Sequence, residues 1–113
     1  MIKIPFYFRK KRSKYGNTIT TIDDIKFDSK KEADFYLVLK LKKDQCEIVE
    51  LKLQEPFPIV INDKKICTYY ADFVTYDKEG VRVIYDVKGV LTPMYRLKKK
   101  LVEATYNVNI VEV

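Results

Sequence analysis

The chain contains no histidine. That absence excludes a Ser-His-Asp triad, a Cys-His pair, a histidine-based metal site and an HNH-type nuclease. Any catalysis therefore rests on carboxylates, lysine, tyrosine or a metal held by oxygen ligands. Cysteine is scarce. Cys46 and Cys67 can neither fill a zinc site nor build a disulfide scaffold, so a reducing, cytoplasmic setting is expected. Three glycines and four prolines are too few for collagen-like or linker-like material. No apolar run approaches the ~18 residues of a membrane span. The basic, aromatic N-terminus has no apolar h-region and no small-residue cleavage site, and no signal peptide is expected.

What is present is a 113-residue chain, 47% hydrophobic and 34% charged. That is enough for one domain with a real core and a densely charged surface, and too little for a second core. Lys and Arg total 22 against 16 Asp and Glu. The excess lies in residues 1–16, which hold Lys3, Arg9, Lys10, Lys11, Arg12 and Lys14 and no acid. The remainder balances. A basic arm (1–16) on a neutral domain (17–113) points to a polyanion partner such as nucleic acid. A solvated tail that aids solubility fits the same charges. An anionic membrane fits less well, because the arm lacks an amphipathic period.

Thr18–Ile22, Asp23-Asp24 and Ile25–Phe27 read as a short hairpin. Ser29-Lys30-Lys31-Glu32 has the capping-box pattern, and Ala33, Tyr36, Leu37 and Leu41 supply a helical stripe, which predicts a helix over 29–44. Ile48–Leu53 reads as a strand broken near Pro56 and Pro58. A second apolar run follows at Phe57–Ile61, with a turn at Asn62-Asp63. Ile66–Tyr76 and Val81–Val87 form two strands of a hairpin that ends at Gly89. Thr92-Pro93 is a strong helix start. In that helix Met94, Leu97, Leu101 and Ala104 recur at helical spacing, with Arg96, Lys99 and Lys100 on the other side and Lys98 on the flank. Val108–Val113 is a last strand. The order helix, three or four strands, helix, strand predicts an α/β fold, a mixed β-sheet flanked by two helices.

The Ile66–Val87 hairpin carries the chemistry. Strand alternation puts Tyr70, Asp72, Val74 and Tyr76 on one face, and Arg82, Ile84, Asp86 and Lys88 on one face of the next strand. With a five-residue loop, 77–81, Tyr76 faces Arg82 and Asp72 faces Asp86, the two carboxylates about 5 Å apart. Such a pair is destabilising unless a positive charge lies between them. Lys88, one pleat further on, is one candidate. A divalent cation is a better one, since Mg²⁺ favours one or two carboxylates completed by waters and phosphate oxygens. Asp is also poorly suited to strand interiors, and such local rule-breaking often marks a site. The same residues also fit a solvated hairpin face on which Lys88 is an ordinary ion-pair partner.

Asp72 followed by Asp86-Val87-Lys88 on the next strand resembles the PD-(D/E)XK nuclease signature, with Ala71 where the name-giving Pro would stand. Glu32 matches the acidic residue that many of these nucleases carry on a helix before the sheet. The segments Lys14–Asn17, Ile25–Ala33, Leu53-Gln54, Tyr70–Phe73 and Asp86–Gly89 look like a family of small phage and prophage proteins, some described as Holliday-junction resolvases. The resemblance covers residues 14–113 and implies a restriction-endonuclease-like core in a phage-type protein acting in the host cytoplasm.

It also implies metal-assisted phosphodiester hydrolysis, with Glu32, Asp72, Asp86 and Lys88 catalytic. Asp72, Asp86, the Val87 carbonyl and Glu32 would hold Mg²⁺, with Mn²⁺ as substitute. Lys88 would orient the attacking water or stabilise charge in the transition state. Gln54 takes a weak supporting role. Arg9, Lys10, Lys11, Arg12, Lys14, Arg96, Lys98 and Lys99 become candidate DNA contacts. Each residue also has a plainer role open to it: Glu32 as the third residue of a capping box, Lys88 and the helix basics as solvated charges, the tyrosines as core and sheet residues. Branched DNA is the expected substrate. Nicked, flapped or replicating duplex is an alternative, as is binding without cleavage. Two symmetric nicks suit a homodimer, in which Ile2, Ile4, Phe6, Tyr7 and Phe8 could pack across the two-fold. An extra edge strand within one subunit is the other use for that segment.

Overall fold

The computed structural model of the chain describes residues 19–87 and 91–113. The basic arm, the Ile2–Phe8 segment proposed for dimerisation, and Lys88 and Gly89 lie outside the described residues.

Two short strands, β1 (Thr20–Ile22) and β2 (Ile25–Phe27), pair antiparallel. Asp23 and Asp24 join them with φ of 53° and 64°, the left-handed pair that a tight hairpin turn requires. Helix α1 (Lys30–Asp44) follows. Its N-cap is Ser29, whose hydroxyl accepts from Glu32 N at 3.1 Å. Asp23 then fastens the hairpin to the helix by accepting from Tyr36 Oη at 2.8 Å and Lys40 Nζ at 2.5 Å.

The main sheet has four strands in the order β3 (Glu50–Ile61), β4 (Lys64–Tyr76), β5 (Arg82–Asp86) and β6 (Ile110–Glu112). The first three form an antiparallel meander, and β6 lies parallel to β5. A parallel neighbour needs a crossover, and α2 (Pro93–Tyr106) supplies it. Thr92 caps α2 by accepting from Tyr95 N, and Asn107, left-handed at φ 54°, closes it. The result is a mixed sheet flanked by two helices, as expected. Among the described residues no helix is long and apolar enough to cross a membrane.

The core lies on both faces of the sheet. Under α1, Ala33, Tyr36 and Leu39 pack with Phe27, Leu51, Leu53, Phe73 and Val87. Under α2, Tyr95 and Val102 pack with Phe57, Ile59, Tyr69, Ala71, Val74 and Ile84. Leu53 and Phe57 share one parity on β3, as do Tyr69, Ala71 and Phe73 on β4. Each set nevertheless divides between the two cores. The β3–β4 hairpin therefore changes its buried face between residues 53 and 57 on one strand and between 71 and 73 on the other. Gln54 sits at this change with φ of 53°, in the left-handed region that non-glycine residues rarely adopt.

Several expectations are corrected. The break at Pro56 and Pro58 does not occur, and β3 runs unbroken from Glu50 to Ile61. Its place at the sheet edge is the reason. Among the described residues it pairs on one side only, and an edge is where a strand can lack N–H donors. On α1 the buried stripe is Ala33, Tyr36 and Leu39, while Leu37 and Leu41 are exposed. The helix meets the sheet along i, i+3 steps, and the i+4 steps to Leu37 and Leu41 rotate away from it. On α2, Met94, Leu97 and Ala104 face solvent, and the buried positions are Tyr95 and Val102. Lys98 and Lys99, expected on or beside the solvated face, are half-buried, because long lysine stems can cover apolar surface while their ammonium groups reach outward. The final strand, Ile110–Glu112, is also shorter than Val108–Val113.

Candidate acidic site

Asp77–Val81 forms the five-residue loop between β4 and β5, and Tyr76 pairs with Arg82 as the spacing requires. Asp77 holds this loop with its own side chain, which accepts from Glu79 N at 2.9 Å and Val81 N at 2.8 Å. The register continues through Phe73–Tyr85. One residue further, it brings Asp72 opposite Asp86. Both are buried, at 7% and 1% exposure, which excludes the solvated-face alternative for the pair.

Each carboxylate is held by identified donors. Asp72 Oδ2 accepts from Val87 N at 2.9 Å, and Asp72 Oδ1 accepts from Gln54 Nε2 at 3.2 Å. Asp86 Oδ2 accepts from the hydroxyl of Tyr69. Burial pushes the Asp72 carboxyl well above the usual carboxylate range. The Glu32 charge raises it further, as does Asp86, whose carboxyl lies within hydrogen-bonding reach. The Val87 N–H pulls the other way. Glu32 thus acts electrostatically on Asp72 from the first turn of α1, while its backbone N–H serves the Ser29 cap.

The α2 side adds a second set of polar groups. Tyr95 donates to Glu112 Oε2 at 2.8 Å, and Lys99 Nζ lies 3.4 Å from Glu112 Oε1. Glu112 pairs with Asp86 in the β5–β6 register. Burial, with Tyr69 next to Asp86 and Tyr95 next to Glu112, raises both phenols, so each remains a donor. Arg96 and Lys100 are exposed on the same helix.

The structure therefore brings together Asp72, Asp86 and Val87, with Glu32 close enough to perturb Asp72. Lys88, next in the chain after Val87, lies outside the described residues, as do Arg9–Lys14. Among the described residues no three carboxylates form a closed metal cage. The donor chemistry is nonetheless of the oxygen kind a hard divalent cation takes: two buried carboxylates within hydrogen-bonding reach of each other and a third acid acting on Asp72. Bringing these negative groups together out of water costs stability unless a cation or proton offsets them.

Tyr69, Tyr95 and Glu112 carry no local signal that marks them as site residues. Alternation places Tyr70, not Tyr69, on the face of Asp72. The face change at Gln54 and Asp72 overrides that pattern, and nothing in the local sequence of β4 announces it.

Fold and site together define a mixed α/β protein with a buried carboxylate pair between two antiparallel strands. Residues 12–112 match a family described as "Protein of unknown function (DUF1064)", and the chain belongs to that family. Comparisons with curated proteins and with solved structures give no match.

Proposed function

We propose that the protein is a divalent-metal-dependent DNA endonuclease with a restriction-endonuclease-like core, acting on branched DNA as a Holliday-junction resolvase of phage type. The observation that carries this reading is the buried Asp72–Asp86 pair facing across β4 and β5, with Glu32 acting on it from α1. The order helix, three antiparallel strands, helix, parallel strand supports it, since it is the order expected of a PD-(D/E)XK core.

In this reading Asp72, Asp86 and the Val87 carbonyl hold Mg²⁺ or Mn²⁺, with Glu32 contributing. The bound cation supplies Lewis-acid activation of water and phosphate. Val87 N–H and Gln54 fix the Asp72 carboxylate, and Tyr69 holds Asp86. Lys88 would orient the attacking water or stabilise charge in the transition state. Arg96, Lys98 and the basic arm follow the DNA backbone, and a homodimer presents two such sites to the two strands cut.

The test incubates the purified protein with a four-way junction, a linear duplex and a single strand of matched sequence, with Mg²⁺ or with chelator, and records its sedimentation. Metal-dependent paired nicks in the junction by a dimer are expected. A monomer that cuts duplex as readily as junction leaves a nuclease without the resolvase. No cleavage of any substrate in Mg²⁺ or Mn²⁺ refutes the endonuclease.

A further inference from the structure

Tyr69 has two parts with different roles. Its ring is 5% exposed and packs in the α2-side core with Ile59, Ala71 and Val74, its centroid 6.4 Å from that of Phe57. A phenylalanine would fill that volume equally well. The hydroxyl adds nothing to apolar packing and, buried, costs stability unless it is bonded. It is bonded, and its partner is the Asp86 carboxylate, itself 1% exposed.

An aspartate side chain turns about two torsions, and its terminal one has broad, weakly defined minima. A donor fixed to one oxygen removes that freedom. Tyr69 is a rigid donor, because its ring is clamped in the core and its position is set by β4, the strand that also carries Asp72. The plane of the Asp86 carboxylate is thereby set relative to Asp72, across the strand pair.

We propose that Tyr69 is a positioning residue of the acidic site, its hydroxyl orienting the Asp86 carboxylate so that Asp72 and Asp86 present a preformed pair to a divalent cation. The proposal rests on the metal-dependent reading above and extends it to a residue whose apolar surroundings suggest only a core role. Groups that orient a metal ligand from behind typically change metal affinity about 10- to 100-fold when removed.

The test measures Mn²⁺ binding by the paramagnetic resonance of the free ion, for the wild type, Tyr69→Phe and Asp86→Asn, with metal-free melting as a check on folding. Tyr69→Phe should fold and bind Mn²⁺ about 10- to 100-fold more weakly. Its cleavage should recover toward the wild-type rate as Mn²⁺ is raised, a dependence that a purely structural defect would not produce. Unchanged Mn²⁺ affinity in Tyr69→Phe, with binding lost in Asp86→Asn, overturns the positioning role and leaves the metal site standing. A wild type that binds no Mn²⁺ overturns the metal-site reading and this inference with it, and the two failures are told apart by the wild-type measurement alone.

Discussion

Gln54 faces Asp72 across the β3–β4 hairpin, between the Leu53–Phe73 and Glu55–Ala71 pairs, and its side-chain amide donates to the Asp72 carboxylate at 3.2 Å. The backbone that achieves this is left-handed, at φ 53°. A residue with a Cβ is held there at a cost of roughly 1–2 kcal/mol. The strained residue and the buried acid thus sit at the one place where the hairpin changes its buried face.

Two substitutions separate the strain from the bond. Gln54→Ala loses the amide and keeps the left-handed strain, whereas Gln54→Gly loses the amide and relieves it. Gln54→Gly should be the more stable by about 1 kcal/mol in denaturant unfolding. Both should weaken Mn²⁺ binding alike, because each leaves Asp72 with one fewer donor. Equal stabilities would mean that the neighbouring pairs impose the left-handed turn without strain.

The Asp77 loop gives a second prediction. Asp77 accepts two backbone N–H bonds, and Gly80 in the same loop has φ of 81° with open space where a Cβ would stand. Asp77→Ala should cost about 1–2 kcal/mol, and Asp77→Asn less, since its carbonyl can still accept. Gly80→Ala should cost about 1 kcal/mol from backbone strain alone, with no steric contribution. Thermal unfolding of the three variants checks the order. Because this loop sets the register that places Asp72 opposite Asp86, variants that loosen it should lose cation affinity along with stability.

These elements differ in how far they are legible in the residues. Ser29 and Thr92-Pro93 announce both helices, because a cap needs only a hydroxyl at the right step before an apolar run. Asp72 opposite Asp86 is legible because loop length alone sets hairpin register, and Asp77–Val81 has the length required. Pro56 and Pro58 mislead, because whether a proline breaks a strand depends on a neighbour absent from the local sequence. The stripes of α1 and α2 read as rotated, since leucine at i+4 spacing looks buried until the sheet chooses the face. Tyr69 is hidden by the face change at Gln54, which no glycine or proline within β4 signals.

The surface of α2 carries a third prediction. Lys99 lies 3.4 Å from Glu112, with its side chain 25% exposed, and Arg96 and Lys100 are exposed. A lysine already near a carboxylate releases less counterion on meeting DNA than a solvated one. Arg96→Ala combined with Lys100→Ala should flatten the log–log salt dependence of DNA binding by up to ~2. Lys99→Ala alone should change the slope less than either single substitution. Binding titrations across a salt series make the comparison. A larger effect from Lys99 would show that DNA displaces Glu112.

The last prediction follows from the Asp72 carboxyl, held well above its ordinary value of 3.8 by burial, then by Glu32, then by Asp86. A carboxyl that binds its proton more tightly in the folded state stabilises the fold fully below its unfolded value. That contribution is lost as pH rises through the folded value. Metal-free wild type should therefore lose this stability progressively as pH rises above the ordinary carboxylate range. Asp72→Asn has no such proton to lose, and Gln54 can turn its amide over to accept from the new side chain. Without metal, the variant should melt above the wild type at neutral pH, and the gap should close near pH 4. Differencing the two proteins removes the titration of carboxylates remote from Asp72. Mg²⁺ should reverse the order at neutral pH, stabilising the wild type by its binding and leaving Asp72→Asn nearly unmoved. Melting curves across this pH range, with chelator and with Mg²⁺, test both halves. A wild type that is the more stable of the two at neutral pH in chelator would show that the acidic cluster is already neutralised from within the protein and has no need of a cation.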